Sequence, residues 1–271
     1  MSTEREPNAS GWNETAIRDT VLGWTESGSG PVAIWAHPLC SSGLAPETVG
    51  PFDWEPVARA GHRLIRYDAR GHGRSAGRPD PADFTFQNLG RDLLALIDEL
   101  SPQAPVAGIG MSMGTATLLH AAVLAPDRFD RLVLTAAPTA WETRAPQGRA
   151  YTTLAELVEQ RGAGAVETLL RDAPVPAPHQ GASGLPLPVE VDERLLPSLL
   201  RGVGASDLPP RELVARLGIP VLLLPWADDP THPVSTAVEL ASLIPDAKLD
   251  IARTLDDLHG WGRRAADFLT P

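Results

Sequence analysis

Short apolar runs rich in Val, Ile and Leu alternate along the chain with stretches whose apolar residues recur at helical spacing. Thr15 to Trp24 reads as an antiparallel hairpin or meander, ended by Gly28-Ser29-Gly30-Pro31. Val32 to Ala36 predicts a buried strand, Phe52 to Ala60 a short helix, and His62 to Tyr67 the next strand. The clearest helix spans Thr85 to Leu100: Leu89, Leu93, Leu96, Ile97 and Leu100 share one face, Asp and Arg fill the other, and Ser101-Pro102 ends it. Pro105 to Ile109 and Arg131 to Ala136 predict strands on either side of a helix of small residues, Thr115 to Leu124. Strand signals resume at Pro220 to Leu224, followed by a helix over Ser235 to Leu243, a strand over Lys248 to Ala252 and a last helix through Trp261 to Leu269. This alternation predicts an α/β fold, a mostly parallel central sheet flanked by helices.

The pattern breaks once. From Thr139 to Pro210 no segment reads as a strand; helices are expected near Thr153–Gln160 and Gly164–Arg171, then a Pro-rich stretch runs from Pro174 through Pro188. An insertion of this length and composition inside a compact domain usually serves function. The expected organisation is therefore a core in two parts, 1–138 and 211–271, with a cap or lid over 139–210 after the sixth main strand.

Composition narrows the partners. Apolar residues make up 43% of the 271, enough to bury a core, and 23 basic against 34 acidic residues give a net charge of −11. That balance argues against a nucleic-acid or anionic-membrane partner and suits a small neutral substrate. The single cysteine, Cys40, excludes an intramolecular disulfide and a Cys-based metal cluster. Met1 to Ser10 lacks the apolar core of a signal peptide and no apolar run reaches transmembrane length, so a cytoplasmic protein is expected. The histidines lack metal-ligand spacing, and neither G-x-G-x-x-G nor a P-loop is present, so no metal and no cofactor are expected. Oligomeric state is left open.

Gly110-Met111-Ser112-Met113-Gly114 follows an apolar strand and precedes a helix. In that setting G-x-S-x-G is a strand–turn–helix elbow that exposes a serine hydroxyl at the carboxyl edge of a sheet. The helix start after it offers backbone N–H groups to developing negative charge. On this motif the chain resembles the α/β-hydrolase fold family. His37-Pro38-Leu39 resembles that family's oxyanion loop, with Pro38 in place of the usual glycine, and implies an oxyanion hole from the backbone N–H groups of Leu39 and Met113. Asp68 to Ser75 resembles the family's D-x-R-G-x-G-x-S segment, which implies a brace behind that loop. The resemblance implies an acid four residues before a proline; Asp229 has that spacing to Pro233, with Asp228 and Glu142 as alternatives. For the base it implies a histidine after the last strand, where His259 is the only one, completing the order Ser112, Asp229, His259. The Gly-rich turn that usually precedes this histidine is missing from Leu255-Asp256-Asp257-Leu258-His259, and His232, on the loop of Asp229, is a further candidate.

The function so implied is hydrolysis of a carboxylic ester or lactone through an acyl-enzyme on Ser112, similar to enol-lactonases and small esterases. Haloalkane dehalogenases are disfavoured because their nucleophile is an aspartate. Trp35, Trp141 and Trp226 fall near carboxyl ends of predicted strands and, with Met111 and Met113, outline an apolar substrate wall; core packing is the alternative for Trp35. Two other readings stand beside hydrolysis: a non-catalytic small-molecule-binding protein on the same fold, and a perhydrolase or acyltransferase. His120, within an apolar helix, is expected to be packed, and Cys40 to act as a small apolar residue.

Overall fold

The computed structural model describes residues 11–270. The strands are β1 Asn13–Ile17, β2 Thr20–Ser27, β3 Val32–Ala36, β4 Arg63–Tyr67, β5 Val106–Met111, β6 Phe129–Thr135, β7 Val221–Leu224 and β8 Ala247–Leu249. The helices are α1 Ala45–Thr48, α2 Glu55–Arg59, α3 Phe86–Leu100, α4 Met113–Leu124, α5 Arg144–Arg161, α6 Gly164–Asp172, α7 Leu196–Gly204, α8 Arg211–Val214, α9 Val234–Leu243, α10 Leu255–His259 and α11 Trp261–Leu269. The strands form one sheet in the order β1-β2-β4-β3-β5-β6-β7-β8. β1, β2 and β4 pair antiparallel in sequence; every later pairing is parallel.

The central strands are unbroken apolar runs because both faces of the sheet are covered. On β3, Val32, Ile34 and Ala36 pack toward α3 and α4, while Ala33 and Trp35 pack toward α2 and α11. β8 is shorter than the predicted Lys248–Ala252: it is an edge strand with exposed Lys248 and Leu249; beyond it Asp250 N–H donates to the Leu223 carbonyl and Ala252 bridges Trp226.

Between β6 and β7 no strand forms among residues 139–210, only isolated bridging at Val191. α5 starts nine residues before the predicted Thr153 (153 − 144). Gly148 is the crossing point with α7, where a Cβ would lie 2.5 Å from the Gly204 carbonyl oxygen. The segment is stitched to the core. Glu190 N–H donates to the Cys40 carbonyl at 2.7 Å, Gly73 N–H donates to the Glu190 carbonyl at 2.7 Å, and Thr139 N–H donates to the Thr231 carbonyl at 3.1 Å.

A buried ion cluster ties the hairpin to α3. Asp92, 1% exposed, accepts from Arg70 Nε at 2.7 Å and from Arg18 Nη1 at 2.7 Å, and Arg70 also reaches Asp19. Removing Asp92 takes the bidentate partner from buried Arg70 and leaves it only the more distant Asp83 and the half-exposed Asp19. Asp92→Ala is expected to lower unfolding free energy by about 3–5 kcal/mol, read from urea denaturation; a loss below about 1 kcal/mol would show that solvent reaches Arg70.

Candidate active site

The candidate site lies at the carboxyl end of the parallel strands. Four non-glycine residues there have positive φ: Cys40 after β3 (63°), Ser112 after β5 (53°), Ala136 after β6 (45°) and Asp228 after β7 (62°). Such backbone costs free energy and persists where the surroundings dictate it. At Ser112 the cause is the tight passage from β5 into α4. A Cβ on Gly110 would lie 2.7 Å from the Gly114 backbone, and one on Gly114 would lie 1.9 Å from the Ala36 carbonyl oxygen, so neither site tolerates a side chain. Thr115 Oγ1, 2.7 Å from the Thr135 carbonyl and 2.9 Å from the Gly110 carbonyl, laces the turn to β5 and β6.

Ser112 Oγ lies 2.8 Å from His232 Nε2, and His232 Nδ1 lies 2.6 Å from Asp229 Oδ2. Asp229 is saturated with donors. Oδ2 also accepts the Trp226 indole N–H at 2.8 Å, and Oδ1 accepts Thr231 N–H at 2.8 Å and Thr231 Oγ1–H at 2.6 Å. Burial alone would push this carboxyl up; the hydrogen bond and charge of His232, with Thr231 and Trp226, prevail and hold it well below the usual carboxylate range. With Asp229 ionised, His232 carries its proton on Nδ1 and turns the Nε2 lone pair to the serine hydroxyl.

Ser112 and Asp229 therefore come together as expected, and the histidine between them is His232 rather than His259. His259 ends α10 with an exposed side chain, and no hydrogen bond among the described residues joins it to Ser112 or Asp229. The cause is local. Thr254 and Asp257 form a reciprocal capping box, Thr254 Oγ1 accepting Asp257 N–H at 3.2 Å and Asp257 Oδ2 accepting Thr254 N–H at 3.0 Å. The chain enters a helix immediately after Ala252 and carries His259 away at its far end. The spacing Thr-x-x-Asp was the legible signal. The signal for His232 was the Asp-Pro-Thr-His-Pro run. Asp229 Oδ1 closes an Asx turn onto Thr231, which swings His232 back over Oδ2 of the same carboxylate.

Of the alternatives for the acid, Asp228 is exposed and Glu142, also exposed, is ion-paired with Arg211. Leu39 is half-buried and Met113 buried, on the two loops that flank Ser112. The Leu39 loop is braced as the D-x-R-G-x-G-x-S segment implied. Asp68 accepts Gly43 N–H at 2.7 Å, and His72 Nε2 accepts Cys40 N–H at 3.3 Å. His37 Nε2 accepts Ala69 N–H at 2.9 Å while its Nδ1 faces the Pro38 carbonyl at 2.8 Å. Burial keeps both rings neutral, pushing His37 down to about 4 and His72, with His37 beside it, down to about 3.

The expected apolar wall is redistributed. Trp35 is fully buried beneath the sheet, its indole donating to the Gly43 carbonyl and its ring 4.8 Å from Trp54; Met111 is 2% exposed in the same core. Both point to the α2–α11 face because strand alternation sends them there. Trp141 is half-buried at the base of α5, beneath the Arg211 guanidinium, and lines a cleft of about 420 Å³ with Arg144 and Asp207 that does not include Ser112. Trp226 alone of the three tryptophans meets the reacting groups. A residue overlooked from sequence joins it: His179, 9% exposed, places its ring 4.4 Å from the Trp226 ring, and burial pushes it down to about 4.

Residues 53–153 match a family model described as alpha/beta hydrolase fold. The chain is 30% identical over 201 residues to 3-oxoadipate enol-lactonase 2 of Acinetobacter baylyi, covering 69% of each sequence. Among solved structures it is similar to the enol-lactonase from Burkholderia xenovorans (TM-score 0.68, 24% identity, 96% of this chain and 100% of that one). It is also similar to an esterase from Exiguobacterium antarcticum (TM-score 0.78, 17% identity, 95% and 99%). No helix of the described residues is long and apolar enough to cross a membrane.

Proposed function

Since the chain belongs to the α/β-hydrolase fold family, we propose that it is a serine hydrolase that cleaves a carboxylic ester or lactone through an acyl-enzyme on Ser112. The observation that carries this is the continuous chain of hydrogen bonds from Ser112 Oγ through His232 to Asp229. His232 Nε2 takes the hydroxyl proton as Oγ attacks the carbonyl carbon. Backbone N–H groups of Leu39 and Met113 receive the oxyanion. His232 then returns the proton to the departing alkoxide, and the acyl-enzyme is opened by water by the same route in reverse. Asp229 holds the Nδ1–H tautomer and stabilises the imidazolium without itself taking the proton.

The segment 139–210 acts as the cap in this reading. It brings His179 against Trp226 and hydrogen-bonds the oxyanion loop at Cys40. Among the described residues no cationic side chain is hydrogen-bonded or ion-paired to Ser112, His232 or Asp229, which favours a neutral acyl group. The intact chain of hydrogen bonds favours chemistry over a binding role without catalysis. Perhydrolase or acyltransferase activity would differ only in the nucleophile that resolves the acyl-enzyme.

A fluorophosphonate probe is expected to attach to Ser112, located by mass spectrometry of the labelled peptide, and short-chain aryl esters or lactones to be turned over. Labelling that persists in Ser112→Ala would overturn the assignment.

A further inference from the structure

We infer that Trp226 is a positioning residue for the reaction proposed above, acting through Asp229, and not part of the wall that binds substrate. The inference rests on that proposal and adds to it a reason why the acid–base pair stays in place. Asp229 and His232 lie three residues apart on one loop. Their bond to each other therefore does nothing to fix them relative to Ser112. The Thr139 N–H bond to the Thr231 carbonyl ties the loop backbone to the segment after β6, but it does not hold the Asp229 carboxylate itself, which has to be referenced to the sheet separately.

The Trp226 indole does this. It stands at the end of β7, bridged to Ala252, and its N–H meets Asp229 Oδ2 at 2.8 Å, on the oxygen that also faces His232. The ring itself has nowhere to go. Trp261 stacks on it at 5.7 Å and 14°, Phe52 at 6.3 Å and 26°, and the cap residue His179 meets it edge-on at 4.4 Å. The residue is 5% exposed, which leaves little surface for a substrate. Core packing thus fixes the donor before the loop closes, and the entropy of ordering it is already spent on folding. The same ring lies edge-on to His232 at 5.3 Å, so one rigid group touches both acid and base.

Trp226→Phe keeps a ring in the stack and deletes the N–H. A bond from a neutral donor to a carboxylate is strong enough that its loss is expected to lower kcat roughly 10- to 100-fold, with KM within about twofold. The carboxylate, with one donor fewer, holds a proton on the imidazole more firmly, so the acidic limb of the kcat/KM profile moves to higher pH. A rise in KM at unchanged kcat would return Trp226 to the substrate wall and overturn the inference. Unchanged kcat per fluorophosphonate-titrated site, with an unmoved pH profile, would overturn it equally. If the smaller ring prevents folding, benzothienylalanine at position 226 deletes the donor at constant bulk and is read in the same way. One readout needs no turnover: the downfield proton resonance of His232 Nδ1, identified by its loss in His232→Gln. A wild type without hydrolase activity whose resonance moves in Trp226→Phe would refute the hydrolase reading and uphold the positioning role; an unmoved resonance would refute the positioning role.

Discussion

His232→Ala is expected to lower ester turnover by about 10⁴-fold or more and to abolish labelling of Ser112 by fluorophosphonates, while His259→Ala is expected to stay within about twofold of wild type. The first effect follows from Nε2, 2.8 Å from Oγ: without it the hydroxyl keeps its proton, and a neutral serine is a poor nucleophile. The loss concerns the chemical step, so kcat and kcat/KM fall together and substrate affinity changes little. The second follows from exposure: His259 ends a short helix, outside the hydrogen-bonded chain, and an exposed polar side chain removed there costs little. Circular dichroism and thermal unfolding of both variants separate chemistry from folding. A large loss in His259→Ala with an active His232→Ala would return the base to the stretch after β8.

Acid is expected to weaken the fold before most of its carboxylates are neutralised. His37 and His72 are completely buried, with folded-state values pushed down to about 4 and about 3 by burial. A histidine kept neutral in the folded protein takes up a proton as soon as the chain unfolds. Below about pH 6.5 the unfolded state therefore binds more protons than the folded one, and stability falls as pH falls. The decline continues until the folded values are reached and then levels off. Integrated from pH 7 to 4.5 the two rings account for roughly 5 kcal/mol. His179 acts in the same direction. Asp68, whose carboxyl is pushed up by burial, returns part of the loss at the acid end. Urea denaturation at intervals of pH measures the slope. A midpoint that stays flat between pH 7 and 5 would mean that both rings are charged inside the fold, against the hydrogen bonds each Nε2 accepts from a backbone N–H.

These two results test parts of the molecule that differed in how legible they were. The sheet could be read because β3, β5, β6 and β7 are continuous apolar runs between turn signals, and α3 because its leucines keep helical spacing. The elbow was legible because it is written in consecutive residues under steric compulsion: Gly110 and Gly114 leave no choice of side chain. α7 was missed because its short amphipathic pattern follows a Pro-rich stretch, and the early turns of α5 because Thr, Arg and Gly dilute their apolar face. Met111 lies in the core rather than on the expected wall, and Trp35 follows its core-packing alternative, for another reason. Position at a strand's carboxyl end can be read from sequence, but which face of the sheet a residue meets depends on what lies above and below. The histidine required the most non-local information. His259 fits chain order, and chain order says nothing about whether the backbone after β8 turns toward the elbow or coils into a helix. Thr254 and Asp257 decide that by capping, a local preference that overrode the expected loop.

On the proposed assignment Asp229 and His232 share one short loop, and the stretch after β8 supplies no group to the hydrogen-bonded chain on Ser112. Beyond Ala252 it fills space: Leu258, Trp261, Ala265, Ala266 and Leu269 close the underside of the sheet, while Asp256, His259 and Asp267 face outward. Substitutions along the buried stripe of α11 therefore act through volume and hydropathy, while those at the outward positions meet solvent.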